Sequence, residues 1–291
     1  MKIVIFTRTG FHHTYFISRL QERFDVACVV RESYPQNRKE NLFMNNLFRK
    51  NPIKRIKDGL FLKKFHGMYS AGFRYHKALG EYLKSPFDVM EEKPGTKYVN
   101  VPCGHINSQD FASFLADMKP DVIAVLGNSV IKPHIISIPS TAMINLHSGL
   151  SPYYRGTWSY GWPIVNKEPE YIGATVHRVD AGIDSGEILY QTKPCLVESD
   201  DLNTIFLKVI SEGTELVADA IEEIRKTGSV KAYEQPKNTG RLYLANDFNA
   251  DAARECLENL SKGIIREYIE NKKTKDSKLH LFGYVPPKVY R

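Results

Sequence analysis

Asn145 and His147 stand two residues apart in the run INLH, and Asp184 follows downstream in DSG. An amide, an imidazole and a carboxylate are the groups needed to move an acyl unit onto an amine. The amide donates to a developing oxyanion, the imidazole moves protons, and the carboxylate fixes the imidazole tautomer. Residues two apart in a strand point to one face, so Asn145 and His147 present their side chains together. An Asn-x-His pair alone says little, because an Asn or His at a strand end ordinarily satisfies local hydrogen bonds. The context sharpens it: NLHSGLSPYYRG over 145–156, then GATVHRVDAGIDSG over 173–186.

The elements that must carry these residues are legible around them. Lys2 to Phe6 is a short β-branched apolar run, His13 to Phe24 reads as helix, and Val26 to Val30 is a second apolar run. Strand, turn, helix, strand is the opening of a parallel α/β sheet. Asn107 to Met118 reads as an amphipathic helix with Asn107 or Ser108 as N-cap, and Val122 to Leu126 suits a central strand. Met143 to His147 is the strand that carries the pair. Thr157 to Asn166 is predicted helical, Ala174 to Val179 and Glu187 to Gln191 are predicted strands, and Asp201 to Arg225 is a long helix with Leu202, Ile205, Phe206, Val209 and Ile210 on one face. Asp247 to Ile269 resumes a helical pattern. Lys272 to Arg291 is charged and contains prolines, and is expected either to wrap the domain or to fray.

Composition narrows the class. No run approaches the roughly 20 apolar residues a membrane helix requires, and the first residues are too short and strand-like for a signal peptide, so a cytoplasmic protein is expected. Cys28, Cys103, Cys195 and Cys256 are scattered without ligand or disulfide spacing, and the histidines form no metal motif, so no metal is implied. Gly10 lets the first turn approach a ligand closely, but there is no GxGxxG for a dinucleotide. The formal net charge is +7, carried largely by Arg38 to Lys84, where only Glu40, Asp58 and Glu81 oppose a crowd of lysines and arginines. Phe43, Met44, Leu47 and Phe48, then Leu60, Phe61 and Phe65, give this segment apolar faces at helical spacing. It reads either as two amphipathic helices with a solvated basic side, or as a surface that attracts a phosphorylated substrate.

The motifs from Ala116 to Gln191, about a quarter of the chain, resemble the folate-dependent formyltransferase family. That family has a strand ending in Asn-x-His, a Leu-x-Pro-x-x-x-Gly loop (here Leu150 to Gly156) and a later Asp-x-Gly turn. The resemblance implies a Rossmann-like α/β fold, a parallel or mixed sheet flanked by helices. Residues 1–195 would be the catalytic domain, with a basic helical insertion at about 35–95, and 196–291 a smaller, mostly helical extension. It assigns Asn145, His147 and Asp184 as catalytic, the amide contributing roughly 3 kcal/mol to the oxyanion. It also implies 10-formyltetrahydrofolate as donor, its pterin against Ser129, Val130 and Ile131 and the turn with Val179, Asp180, Gly182 and Ile183. Gly182 and Gly186 either admit the donor or simply make that turn. The acceptor would meet Gly10, Ser148, Tyr153, Arg155 and Gly156, with Arg155 open between binding a phosphate and pairing with a neighbour. His177 reads as a supporting group, and Trp158 and Trp162 as core aromatics rather than contacts.

Within the family the rest of the chain discriminates. Methionyl-tRNA formyltransferases add a C-terminal β-barrel, for which residues after Gln191 offer too few strands. Glycinamide ribonucleotide transformylases are shorter and carry a glycine cluster after the first strand that TRTGFHH lacks. An amine on a nucleotide-linked amino sugar is therefore expected as acceptor, and the resemblance favours a homodimer through the C-terminal half. The alternatives are another amine, or a nucleic-acid-binding module on an inactive scaffold, which an intact trio argues against.

Overall fold

Strand β1 (Ile3–Arg8) sends Ile3 and Ile5 into one core and Val4 and Phe6 into another, so the sheet it starts is covered on both faces. The computed structural model describes residues 1–33, 52–75 and 92–289. Helix α1 (Phe11–Arg23) returns the chain to β2 (Val26–Glu32). Helix α2 (Pro52–Tyr75) is followed by β3 (Lys97–Val101), α3 (Gln109–Met118), β4 (Val122–Val125), α4 (Pro133–Ile136) and β5 (Ala142–His147). Strand β6 (Tyr154–Gly156), α5 (Trp162–Val165), β7 (Ala174–Arg178) and β8 (Ile188–Thr192) complete the central region. Beyond them lie α6 (Leu202–Thr227), β9 (Arg241–Tyr243), α7 (Ala250–Ser261), α8 (Ile264–Glu270) and α9 (Lys272–Asp276).

The main sheet runs β3-β2-β1-β4-β5-β7-β8, and β6 pairs separately with β9. The five strands from β3 to β5 are parallel, and β7 and β8 turn antiparallel. This is the expected mixed α/β sheet flanked by helices. Helix α6 is fixed at its start by Asp201, whose carboxylate accepts from the N–H groups of Asn203 (2.9 Å) and Thr204 (2.8 Å), and stops at Gly228 with φ 79°. Its Gly213 lets the helix pass close to β5 and β7, since a Cβ there would run into Leu146 and lie 3.0 Å from Ala174 Cβ.

Three sequence expectations need correction. Thr157 to Asn166 is not one helix: Gly156 (φ 89°) and Trp158 (φ 58°) turn the backbone left-handed, leaving only the short α5. Asp247 to Ile269 splits into α7 and α8, because Asn249 caps the first and Gly263 (φ 81°) breaks the second away. In the basic segment, Phe65 is buried but Leu60 is exposed; Phe43, Met44, Leu47, Phe48 and much of Arg38 to Lys84 lie outside the described residues. The last stretch wraps: Val285 N–H donates to the Gln191 carbonyl at 2.9 Å, and the tail runs along the open edge of β8.

Candidate functional site

Strand β5 delivers Asn145 and His147 to one end of the sheet, and the antiparallel register with β7 sets Asn145 opposite His177. Asp184 arrives from the turn between β7 and β8 with φ 49°, a left-handed conformation uncommon outside glycine. Its carboxylate gathers the site. Oδ2 accepts from Gly156 N–H at 2.8 Å and lies 3.2 Å from His147 Nδ1. Oδ1 lies 3.4 Å from both His177 Nε2 and Asn145 Nδ2.

His147 is buried at 5% exposure, and its Nε2 faces the Tyr154 carbonyl at 2.7 Å. Both ring nitrogens therefore face acceptors, an arrangement that an imidazolium satisfies fully and a neutral ring only by half. Burial pushes the His147 pKa below its ordinary value, while the Asp184 charge and the Tyr154 carbonyl pull it back up. Burial alone would raise the Asp184 pKa. The His147 ring, the His177 ring and the Gly156 N–H outweigh it and hold this carboxyl well below the usual carboxylate range. Asp184 is thus an anion throughout the neutral range and a fixed partner for a proton on His147.

His177 Nδ1 lies 2.7 Å from the Arg178 carbonyl, so that nitrogen carries a proton, and in the neutral ring Nε2 accepts from Asn145 Nδ2 at 3.1 Å. One hydrogen of the Asn145 amide is thereby committed. The other has Asp184 Oδ1 at a long 3.4 Å as its nearest acceptor among the described residues, and is the donor available to an oxyanion.

The remaining expected residues fall in three places. Gly156 belongs to the centre through its N–H, and a Cβ there would run into the Tyr243 carbonyl. Arg155 is half-buried, and its Nε is a buried donor without a partner. Ser148 is half-buried on the same loop. Tyr153 turns away, its hydroxyl donating to the His280 carbonyl at 2.9 Å. Asp180, Gly182 and Ile183 build the turn before Asp184: the Asp180 carboxylate accepts from Gly182 N–H at 3.1 Å and from the Ser185 hydroxyl at 2.9 Å. Val179 N–H binds the Met143 carbonyl at 2.9 Å. Ser129 gives both its N–H (2.7 Å) and its hydroxyl (2.6 Å) to buried Glu32, Val130 is 61% exposed, and Ile131 is buried. Gly10 is exposed at the end of β1, with φ 133°.

Sequence reading misses the frame behind the loop. Thr175 and Gln191, fully buried polar residues on β7 and β8, hold Ser151 and Gly149: Gln191 Nε2 donates to the Ser151 carbonyl at 2.6 Å, and Thr175 Oγ1 to the Gly149 carbonyl at 2.7 Å. Polar side chains at core positions of a strand are the signal that would have found them. Gln235 donates to the Asp184 carbonyl at 3.0 Å, and no local pattern points to it.

Residues 79–221 match the formyl transferase family. A methionyl-tRNA formyltransferase from Caldanaerobacter subterraneus subsp. tengcongensis is 31% identical over 153 residues, which cover 52% of this chain and 49% of that protein. The chain spans about half the length of the curated relatives it matches. A sugar N-formyltransferase from a Shewanella species superposes with a TM-score of 0.53 at 16% identity, covering 89% of this chain and 87% of that one. An N-formyltransferase from Helicobacter canadensis, in complex with folinic acid and dTDP-3-aminofucose, superposes with a TM-score of 0.52 at 15% identity, covering 92% and 82%. At these identities the likeness to the solved structures is one of fold.

Proposed function

We propose, for a chain whose residues 79–221 match the formyl transferase family, that the protein moves a formyl group from 10-formyltetrahydrofolate to a primary amine, that of a nucleotide-linked amino sugar. The observation that carries this reading is the Asp184 carboxylate 3.2 Å from His147 Nδ1, with Asn145 in the same cluster.

The donor supplies the activated formyl carbon. Its fit rests on chain features around Ser129 to Ile131. Asn128 Oδ1 is a buried acceptor without a partner, suited to a pterin N–H, and exposed Val130 offers an apolar face to a flat ring. The Val179 to Ile183 turn would border the same ring. As the amine attacks, negative charge grows on the formyl oxygen and the second Asn145 N–H, whose contact to Asp184 Oδ1 is a long 3.4 Å, donates to it. The amine proton would pass to His147, where the Asp184 charge stabilises the imidazolium; as the bond between the formyl carbon and the donor nitrogen breaks, the same imidazolium would return that proton to the leaving nitrogen, which departs as tetrahydrofolate. Arg155, with its unpartnered Nε, and Gly10, Ser148 and Gly156 would border the acceptor, and Arg155 suits a phosphate.

The sugar-nucleotide acceptor is supported by the fold likeness to a sugar N-formyltransferase and to an N-formyltransferase in complex with dTDP-3-aminofucose. The curated relatives are methionyl-tRNA formyltransferases, which keeps a second amine in view. The test is calorimetric titration with 5-formyltetrahydrofolate, then dTDP-linked amino sugars added to the binary complex, followed by formyl-transfer assays. Folate binding, then a sugar-nucleotide signal and formylated product, is the expected result. Folate binding with transfer only to methionyl-tRNA or glycinamide ribonucleotide would replace the acceptor. No folate binding would overturn the transfer reading.

A further inference from the structure

Asp184 must hold two things at once: a carboxylate aimed at His147, and a left-handed backbone at φ 49°, which aspartate adopts more readily than most non-glycine residues but which the surroundings must still select. Gly156 N–H and the His147 ring hold the carboxylate. The backbone is held from elsewhere. Gln235 Nε2 donates to the Asp184 carbonyl at 3.0 Å and to the Gly186 carbonyl at 2.7 Å, so one amide nitrogen ties both sides of Ser185. Ser151 Oγ adds a longer bond, 3.4 Å, to the same Asp184 carbonyl.

Gln235 is itself placed by a short strap after α6. Ile188 and Tyr233 exchange both backbone hydrogen bonds at 2.8 Å, and Gln235 follows two residues later. The turn it grips has no slack: a Cβ on Gly186 would run into the Arg178 carbonyl. Gln235 Oε1 is buried without a partner, so the side chain tolerates an unsatisfied acceptor in the pose that makes its two donations. Gln235 lies outside the matched segment 79–221, so the family match assigns it nothing.

We propose that Gln235 is a positioning residue for the reaction: its amide holds the Asp184 backbone in the left-handed conformation from which the carboxylate reaches His147. A site read from residues 145–186 is then completed by the chain beyond α6. The proposal rests on the formyl-transfer reading for its kinetic consequence, and on geometry alone for its effect on His147.

The test is Gln235→Met, which keeps length and shape but has no donor. The expected kcat is lower by on the order of 10- to 100-fold, the cost of a misplaced group, with KM for the acceptor amine within about twofold on the same principle. The second readout is the His147 titration followed by NMR of its ring protons. The groups facing that ring are Asp184, the Tyr154 carbonyl, His177 and Arg155, and only the Asp184 placement is changed, so the midpoint should fall as the carboxylate recedes. A merely structural Gln235 would lower the melting temperature and leave kcat and the His147 midpoint at wild-type values; that outcome overturns the proposal. Should Gln235→Met not fold, Gln235→Asn withdraws the same donors by one methylene and carries the same comparison. If the wild-type protein transfers no formyl group, the transfer reading fails, and the NMR titration, which needs no substrate, still decides on Gln235.

Discussion

The carboxylate of Asp184 is the residue on which the centre turns, because it meets His147, His177, Asn145 and the Gly156 N–H within 3.4 Å. Replacing it with the isosteric amide separates charge from shape. Asp184→Asn keeps an oxygen for Gly156 N–H but offers no charge to an imidazolium on His147. The expected kcat is lower by about 100-fold or more, with donor affinity little changed, as steady-state kinetics and folate titration would report. Activity within a fewfold of wild type would remove His147 and Asp184 from proton transfer. The trio was legible in the sequence because the two-residue period of a strand pairs Asn145 with His147 without any long-range knowledge. His177 was legible as a supporting group, whereas its facing of Asn145 needed the β5–β7 register. Gln235 was not legible, since its meeting with Asp184 is set by a strap that pairs Tyr233 with Ile188 far from either motif.

At the scale of elements, the site is a strand end pressed from behind by one helix. Helix α6 crosses β5 and β7 where Gly213 leaves no room for a methyl group against Leu146 and Ala174. Leu146 sits between Asn145 and His147 and points to the opposite face, so any displacement of β5 there is felt on the face that carries Asn145 and His147. Gly213→Ala is expected to destabilise the protein by about 1–3 kcal/mol through overpacking, in spite of alanine's better helix propensity, and to lower kcat with it. Urea unfolding gives the first and kinetics the second; a variant as stable as wild type would mean that the helix shifts freely over the sheet. The long helix itself was legible to within two residues, because a buried face at 3.6-residue spacing is a local signal. The Thr157 to Asn166 stretch was not: its composition suits a helix, but left-handed Gly156 and Trp158 keep the loop against β9 and supply the N–H that binds Asp184. Tertiary contacts override propensity there.

For the whole molecule, half-buried His12 and buried His13 at the start of α1 set how the fold responds to acid. His12 packs edge-on against Phe11 and Phe206, with ring centroids 5.0 and 5.1 Å away, and burial pushes its pKa down to about 4. His13 binds Thr7 Oγ1 at 2.7 Å and is lowered by burial, by His12 and by Arg8. In the unfolded chain both titrate near pH 6.5, so between about 6.5 and about 4 the unfolded state binds more protons and stability falls as pH falls. For His12 alone the full window is worth up to about 3 kcal/mol, and the lowered His147 acts in the same direction. Asp184 contributes in a separate window: its depressed pKa adds stability above the ordinary carboxylate value, which is lost only as pH drops toward the folded-state value. The urea midpoint is therefore expected to decline steadily from pH 7 to pH 4.5, before the carboxylates titrate. His12→Phe keeps the aromatic packing on Phe206 and removes one titration, so its midpoint should fall less steeply over the same range. A wild-type midpoint that stays flat between pH 7 and pH 4.5 would mean that these rings are hydrated in the native state and that the core beneath α1 opens to water.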